Sequence, residues 1–228
     1  MRATNWEFKN RALVFGLIFG LGFAAYAIDP GNSVAAVSVH SDGIARLLFA
    51  MAAGLLAAAA FLRTWASSYL QAQIVYAAEI KTESLVADRP YRYTRNPLYF
   101  ANVLLALGLG SMMNGEGFVA AVILMLAFCY RLILREEAGL AATQGERYLT
   151  YKQTVPQLLP ALTARVPSAG RRAVWTDGFK AEFWCWGFAV AVASVAVTLN
   201  FSVFFVTSTV SIAIFWISSS LLQKKKRA

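Results

Sequence analysis

The feature that most constrains this chain is a set of long stretches without any charged side chain. The longest runs for 41 residues, from Phe183 to Gln223. Others cover 12–28, 47–62, 96–115 and 117–130. A helix needs about 20 apolar residues to cross the hydrocarbon of a membrane. The 41-residue stretch is therefore long enough for two crossings, and we expect the turn between them near Asn200.

The composition supports a membrane environment. Hydrophobic residues make up 58% of the chain and charged residues 14%, whereas soluble domains average about 25% charged residues. A soluble chain of 228 residues has too little interior to bury so much apolar surface. We predict an all-α fold, a polytopic transmembrane bundle of six helices. The turn between the third and fourth helices is expected at Asn114-Gly115-Glu116-Gly117.

The net charge of +9 orients the predicted bundle. With the N-terminus inside and six crossings, 20 of the 21 basic residues lie inside and only Arg46 lies outside; the inside then carries +11 and the outside −2. Basic residues mark the cytoplasmic face, so both termini are expected in the cytoplasm and nucleic acid is not an expected partner. Ala25-Tyr26-Ala27 resembles a signal-peptide cleavage site, but we expect residues 12–28 to remain as an anchor.

The predicted spans lack the groups that transport requires. None carries an ionisable residue in its middle, which disfavours a channel or a pump. Gly16 and Gly20, and the small residues of 52–60, are typical of close helix packing. Cys129 and Cys185 are expected to be packing residues within helices, so that neither a disulfide nor a metal site is predicted.

Two cytoplasmic segments hold enough polar residues for chemistry, and the first precedes the third span. Asn96 and Pro97 read as the N-cap and first turn of a helix whose free N–H groups face the cytoplasm. Arg89, Arg92 and Arg95 come just before it. Together these groups are suited to a carboxylate or a phosphate. The alternative is a capped helix with ordinary positive-inside anchoring.

The second segment follows the fourth span and begins with Glu136 and Glu137. If the helix continues as far as Tyr151, these glutamates are an ordinary solvated pair. The functional alternative is that one of them faces a polar ligand group such as a ribose diol or an ammonium. Pro156 and Pro160 are expected to end the helical stretch.

These two segments resemble a known family. Residues 90–99, PYRYTRNPLY, are similar to the signature of isoprenylcysteine carboxyl methyltransferases and the related phospholipid methyltransferases. Glu136-Glu137, the GERY run that begins at Gly145, and the Val-Pro and Leu-Pro pairs of 155–160 resemble the second block of that family. The resemblance covers roughly residues 60 to 160, and membrane sterol reductases share a looser version of the layout.

The resemblance implies that S-adenosylmethionine binds in a cytoplasmic pocket. Matched positions give the expected cofactor contacts as Tyr76, Glu83, Ser84, Leu85, Val86, Tyr91, Asn96, Pro97, Leu98, Tyr99 and one of Glu136 or Glu137. Arg131 and Arg135 are the two candidates for holding a substrate carboxylate. The chain departs from the family at Asn96, which replaces a histidine and cannot act as a base, and at Ala101, which replaces a glycine.

The resemblance implies an integral membrane methyltransferase whose acceptor is a lipidic or amphiphilic molecule, with a carboxylate as the expected methyl acceptor. A phospholipid amine is the alternative acceptor, and a non-catalytic scaffold or lipid-binding protein is the alternative class. The expected organisation is a first helix and outside loop (1–44), a methyltransferase core (45–160), a cytoplasmic linker (161–181) and a C-terminal transmembrane hairpin with a basic tail (182–228). Packing or homo-oligomerisation is the expected role of that hairpin.

Overall fold

The computed structural model describes residues 2–39, 41–70 and 88–227, with side chains as far as residue 215. This part of the chain is helical and contains no strand, which confirms the all-α prediction. Its helices are α1 (Asn5–Lys9), α2 (Arg11–Ala24), α3 (Ser33–Val37), α4 (Asp42–Tyr69), α5 (Pro97–Gly110), α6 (Gly115–Gln144), α7 (Glu146–Thr154), α8 (Trp175–Thr198) and α9 (Phe201–Arg227). Short 3₁₀ helices, Ala25–Ala27 and Arg89–Arg92, precede α3 and α5.

Three of the described helices, α4, α6 and α8, are long and apolar enough to cross a membrane. The apolar helices at Arg11–Ala27, Pro97–Gly110 and Phe201–Phe215 are shorter. At about 1.5 Å per residue, α5 is roughly 21 Å long, less than the roughly 30 Å of bilayer hydrocarbon. The helices therefore support an integral membrane protein, whereas six complete crossings and the side of the termini stay predictions.

Two asparagines mark helix boundaries where the sequence predicts turns. Asn114 caps α6, because its side-chain oxygen accepts a hydrogen bond of 2.8 Å from the backbone N–H of Gly117. Asn200 lies in the two-residue break between α8 and α9. Both predicted turns are confirmed, although α6 begins inside the first of them, at Gly115.

The packing is centred on α4 and α5. α4 lies against α5 and α8, α9 packs on α8, and α6 packs against α2 and α5. Leu56, Leu105 and Val192 are buried where α4, α5 and α8 meet. A second core, which includes Ala106 and Met125, joins α5 and α6 to α2. Since α5 contributes to both cores, a shift of α5 would disturb both sides of the molecule.

Small residues allow the closest helix contacts. The alanines of α4 within 52–60 are largely buried, as predicted. Gly178 lets α8 approach the backbone of α4, and a β-carbon there would collide with the carbonyl of Thr64. The expectation for Gly16 and Gly20 is wrong within this chain, because a β-carbon at either position would meet no described atom within 4 Å. Both glycines are exposed, on a face of α2 that no described residue covers closely.

Candidate functional site

The two sequence motifs meet at the loop that leads into α5. The backbone N–H of Arg95 donates to the carbonyl of Pro156 at 2.8 Å. The hydroxyl of Thr94 donates to the carbonyl of Leu158 at 2.9 Å. We call this contact between residues 92–96 and 155–161 the motif junction. The two blocks lie about 60 residues apart in sequence, and they form one structural unit.

Arg95 fastens the motif junction to α6. Its Nε donates to Oε1 of Glu137 at 2.9 Å, and its Nη1 donates to the carbonyls of Lys152 and Val155. The ammonium of Lys152 lies 3.1 Å from the other carboxylate oxygen of Glu137, whose side chain is only 4% exposed. α6 continues past the glutamates but ends at Gln144, short of Tyr151. Glu137 is not solvated, because two cations hold it in the interior.

Glu136 has a different environment from Glu137. The phenol of Tyr99, on α5, donates a hydrogen bond of 2.6 Å to Oε1 of Glu136. Tyr99 is buried, and Glu136 is half-buried. The positive charges of Arg11 and Arg135 act on this carboxylate from nearby. Among the described residues, Glu136 is therefore bonded by a neutral donor, whereas Glu137 forms ion pairs with Arg95 and Lys152.

Tyr91 lies beneath the motif junction with a free hydroxyl. Its carbonyl accepts a hydrogen bond of 2.7 Å from the hydroxyl of Tyr151. Its own hydroxyl is buried and has no hydrogen-bond partner among the residues that the structure describes. Burial, with the nearby carboxylates of Glu136 and Glu182, raises the pKa of Tyr91 well above its ordinary value. The hydroxyl is therefore neutral and has a proton to donate.

Gly145 turns the chain from α6 into α7. Its φ of 54° with ψ of −136° is a backbone conformation that a β-carbon makes unfavourable. The turn directs Tyr148 and Tyr151 inward, where both are buried and pack against Val155. This explains why a glycine in the second motif precedes tyrosines at helical spacing.

Asn96 occupies the predicted position but makes a different bond. It lies immediately before α5, and Pro97 is the first residue of that helix, as expected. The side chain of Asn96 does not cap the helix; its Nδ2 donates to the carbonyl of Gln157 at 2.9 Å. The predicted capping bond is therefore wrong, because the amide is buried against the motif junction. Pro97 is buried beside it and Leu98 is half-buried.

Arg131 and Arg135 contact the N-terminal segment. Arg131 forms an ion pair of 2.7 Å with Glu7, and this hydrogen bond holds the pKa of Glu7 at about 2. Arg135 donates to the carbonyl of Ala3 at 3.0 Å and to the side chain of Asn5 at 2.6 Å. These arginines are the two alternative candidates for holding a substrate carboxylate, and in the structure both contact residues 3–7.

Five of the predicted cofactor contacts lie outside the described residues. They are Tyr76, Glu83, Ser84, Leu85 and Val86. Of the remaining predicted contacts, the structure brings Tyr99 and Glu136 into direct contact. Tyr91, Asn96 and Glu137 surround the same motif junction.

A buried polar cluster on the other side of α5 was not predicted. Arg63 of α4 forms an ion pair of 2.6 Å with Glu182 of α8, and its Nη1 donates to Oδ1 of Asn102 at 2.5 Å. The hydroxyl of Ser67 donates to the second oxygen of Glu182 at 2.7 Å. Arg63 and Glu182 each border a charge-free stretch and carry opposite charges, which was the available signal. Sequence alone could not pair residues 119 positions apart.

An apolar pocket lies beside the motif junction. It is lined by Leu62, Trp65, Pro90, Tyr93, Thr94 and Pro160. The ring of Trp65 lies 6.0 Å from Phe61, which in turn stacks 6.4 Å from Trp175. Such aromatic clusters are typical of the boundary between membrane and water, and the pocket offers a hydrocarbon chain an apolar wall.

Part of the chain is similar to known proteins. Residues 47–147 match the family described as phospholipid methyltransferase, which consists of integral membrane methyltransferases. The chain is also similar to the cobalt-zinc-cadmium resistance protein CzcN of Cupriavidus metallidurans, with 30% identity over 101 residues. The nickel-cobalt-cadmium resistance protein NccN of Alcaligenes xylosoxydans is 28% identical over 101 residues. Each match covers 44% of this chain and 44% of the relative. No solved structure matches significantly.

Proposed function

Because residues 47–147 match the phospholipid methyltransferase family, we propose that this protein is a membrane methyltransferase that uses S-adenosylmethionine to methylate a lipidic acceptor. The observation that carries the proposal is the contact between the two motifs at Tyr99 and Glu136, where the phenol donates to the carboxylate at 2.6 Å. The match confirms the resemblance at the level of the family. The methyl donor and the acceptor are our proposals.

The described residues fit the proposed methyl donor. S-adenosylmethionine presents a sulfonium cation, hydroxyl groups and an adenine ring. Glu136 is a half-buried carboxylate able to face a cation or a diol, and Tyr99 lies against it. The buried hydroxyl of Tyr91 is an unsatisfied donor among the described residues, and leaving such a group unpaired is costly. A polar ligand in this place would satisfy it.

Methyl transfer requires mainly that the attacking atom, the methyl carbon and the sulfur lie in line. When bound, the donor supplies a methyl group that an attacking lone pair takes in line, while the sulfur keeps the electrons of the broken bond. The rings of Tyr91 and Tyr99 and the carboxylate of Glu136 would orient the cationic side of the donor. The ion pair between Arg95 and Glu137 fastens the motif junction to α6, next to these groups. The apolar pocket beside Trp65 would exclude water and admit the acceptor's hydrocarbon chain.

The contacts of two arginines bear on the acceptor. A carboxylate acceptor needs an arginine to orient it, but Arg131 is paired with Glu7, and both Nη atoms of Arg135 donate to Ala3 and Asn5, which leaves its Nε as the one nitrogen without a partner among the described residues. An amine acceptor must lose a proton, and Glu136 is a half-buried carboxylate able to accept it. These contacts favour the amine, which was the alternative at the level of sequence, over the carboxylate.

Binding of the methyl donor tests the proposal directly. We expect purified protein in detergent to bind S-adenosylmethionine by calorimetry, and Glu136→Gln to weaken binding at least tenfold. Glu116→Gln, an exposed change at the other end of α6, is the matched control and should bind like the wild type. Absence of binding by the wild type, or equal binding by Glu136→Gln, would contradict the proposal.

The chemistry of the product separates the acceptors. Protein incubated with tritiated methyl donor and membrane lipids should label a lipid. A label that survives mild base indicates N-methylation, and a label released as methanol indicates a carboxyl methyl ester. Donor binding without any lipid labelling would instead support a lipid-binding scaffold.

A further inference from the structure

α8 lies outside the part of the chain that matches the methyltransferase family, yet it contributes a fully buried carboxylate, that of Glu182. We propose that Glu182 and Arg63 are positioning residues for the methyl-donor site: acting through Asn102, they hold α5 so that Tyr99 meets Glu136. This inference rests on the proposed function for its ligand. It gives the C-terminal hairpin a part in the site.

A continuous line of polar contacts runs from α8 to α5. Glu182 pairs with Arg63 at 2.6 Å, and Arg63 donates to Asn102 at 2.5 Å. The side chains of Arg63 and Glu182 are 8% and 0% exposed. Asn102 is buried as well. Since water does not reach these groups, each fixes the orientation of the next.

The line continues along one face of α5. Asn102 and Tyr99 are three residues apart, and side chains at that spacing lie side by side on a helix. Tyr99 donates to Glu136 of α6. α5 is therefore held by polar contacts on two sides, towards α4 and α8 through Arg63 and towards α6 through Glu136.

The ion pair is not needed merely to dock α8 on α4. Gly178 lets the two helices touch closely, and Trp186 donates to the hydroxyl of Thr64 at 3.1 Å. At the opposite end, Arg46 donates to the carbonyls of Ala196 and Val197 at the end of α8. A buried ion pair adds little net stability compared with apolar residues of similar size. The distinctive effect of this ion pair is to fix Arg63 where it donates to Asn102, which sets the orientation of the Asn102 side chain.

The test removes both charges together, so that no unpaired charge remains to unfold the protein. The variant Arg63→Met/Glu182→Leu keeps the α4–α8 contact apolar and leaves Asn102 without its donor. We expect its dissociation constant for S-adenosylmethionine to rise about tenfold. Arg46→Gln, which weakens the same helix pair at its far end, should bind within twofold of the wild type. Wild-type affinity in the double variant, or an equal loss in Arg46→Gln, would overturn the proposal.

Combining the charge-pair variant with a change at Tyr99 distinguishes a positioning role from a general loosening of the helix packing. Tyr99→Phe alone should also weaken donor binding about tenfold. We also combine the three changes in one variant, Arg63→Met/Glu182→Leu/Tyr99→Phe. If the charge pair acts through Tyr99, this variant should bind S-adenosylmethionine about tenfold more weakly than the wild type, and not a hundredfold. A hundredfold loss of affinity would mean that the two effects are independent and would contradict the proposal that the charge pair acts through Tyr99.

A measurement without ligand keeps the inference separate from the proposed function. In a Cys185→Ala background, Cys129 is the chain's one remaining thiol, and it is buried in the core that α5 and α6 share. Removing the charge pair should speed its reaction with N-ethylmaleimide at least fivefold, whereas Arg46→Gln should leave the rate unchanged. If the wild type binds no S-adenosylmethionine, the proposed function fails, and this rate alone decides whether the charge pair holds α5. Equal rates in all variants would overturn it.

Discussion

Two arginines in this protein each pair with a glutamate from a distant segment, and the two pairs have nearly the same length. Arg63 lies 2.6 Å from Glu182, and Arg131 lies 2.7 Å from Glu7. The side chains of the first pair are 8% and 0% exposed, and those of the second 32% and 23%. The first joins two long helices in the interior, and the second fastens the N-terminal segment to α6.

The difference teaches that burial, and not geometry, sets what such a pair does. Water can replace either partner of the Arg131 pair, so breaking it releases a short segment at little cost. No water replaces a partner of Arg63, so removing Glu182 leaves a buried charge without compensation. The buried pair therefore acts on the arrangement of the helices, and the half-exposed pair acts on the position of residues 3–7.

The largest expected effect comes from Glu182→Gln. Removing one partner of a buried pair costs about 3–5 kcal/mol, and we expect the free energy of unfolding in detergent to fall by that amount. Arg63→Met/Glu182→Leu should recover most of the loss, since it leaves no buried charge. A loss below about 1 kcal/mol for Glu182→Gln would show that burial does not make this ion pair costly to disrupt.

Arg95→Met should have an intermediate effect. The change removes the bonds from Arg95 to Glu137 and to the carbonyls of Lys152 and Val155, while Lys152 still accompanies Glu137. We expect a loss of about 2–3 kcal/mol of unfolding free energy, together with faster proteolysis of residues 155–174. Arg89→Met is the control, because Arg89 is exposed. Similar losses in both variants would show that the motif junction does not depend on Arg95.

The smallest effect is expected for Glu7→Gln. Half-exposed ion pairs contribute about 0.5–1 kcal/mol, so the unfolding free energy should hardly change. The local readout is hydrogen exchange of the Ala3 amide, which donates to the carbonyl of Arg131 at 3.1 Å. We expect this amide to exchange several times faster in the variant. Unchanged exchange would show that the ion pair does not hold the segment.

The same contact has a defined pH dependence. Its hydrogen bond with Arg131 lowers the pKa of Glu7 from 4.5 to about 2. A carboxylate with a lowered pKa stabilises the folded state above its unfolded pKa and loses that contribution as pH falls towards the folded pKa. Protection of the Ala3 amide in the wild type should therefore be constant above pH 5 and decline between about pH 4.5 and 2. A decline centred near pH 7 would contradict the assignment to Glu7.

Local features of the sequence were enough for much of the fold. The helical class and the boundaries at Asn114 and Asn200 follow from apolar stretches and capping residues, which act over a few positions. Gly145 and Pro97 likewise appear where a turn and a helix start require them. The interpretation of Gly16 and Gly20 failed because small residues permit a close contact but do not supply the helix that makes it.

The sequence motifs were enough to name candidate site residues but not to predict the bonds between them. The two motifs identified Tyr99 and Glu136 without showing that they touch. The partners of Arg131 and Arg135 lie more than 120 positions away, in a segment that carries no motif. The turn of Asn96 towards Gln157 likewise depends on a backbone carbonyl, which every residue type carries and no sequence pattern marks.

The sequence by itself determined that this chain is a helical membrane protein with two methyltransferase-like motifs, because hydrophobic runs and short motifs are local properties. Only the tertiary structure decided which charges are paired. It buried Glu137 between two cations and left Glu136 to Tyr99, and it joined Glu182 to Arg63 across 119 residues. The energy of a charge depends on its burial and on its partner in space, and the local sequence around a residue determines neither of them.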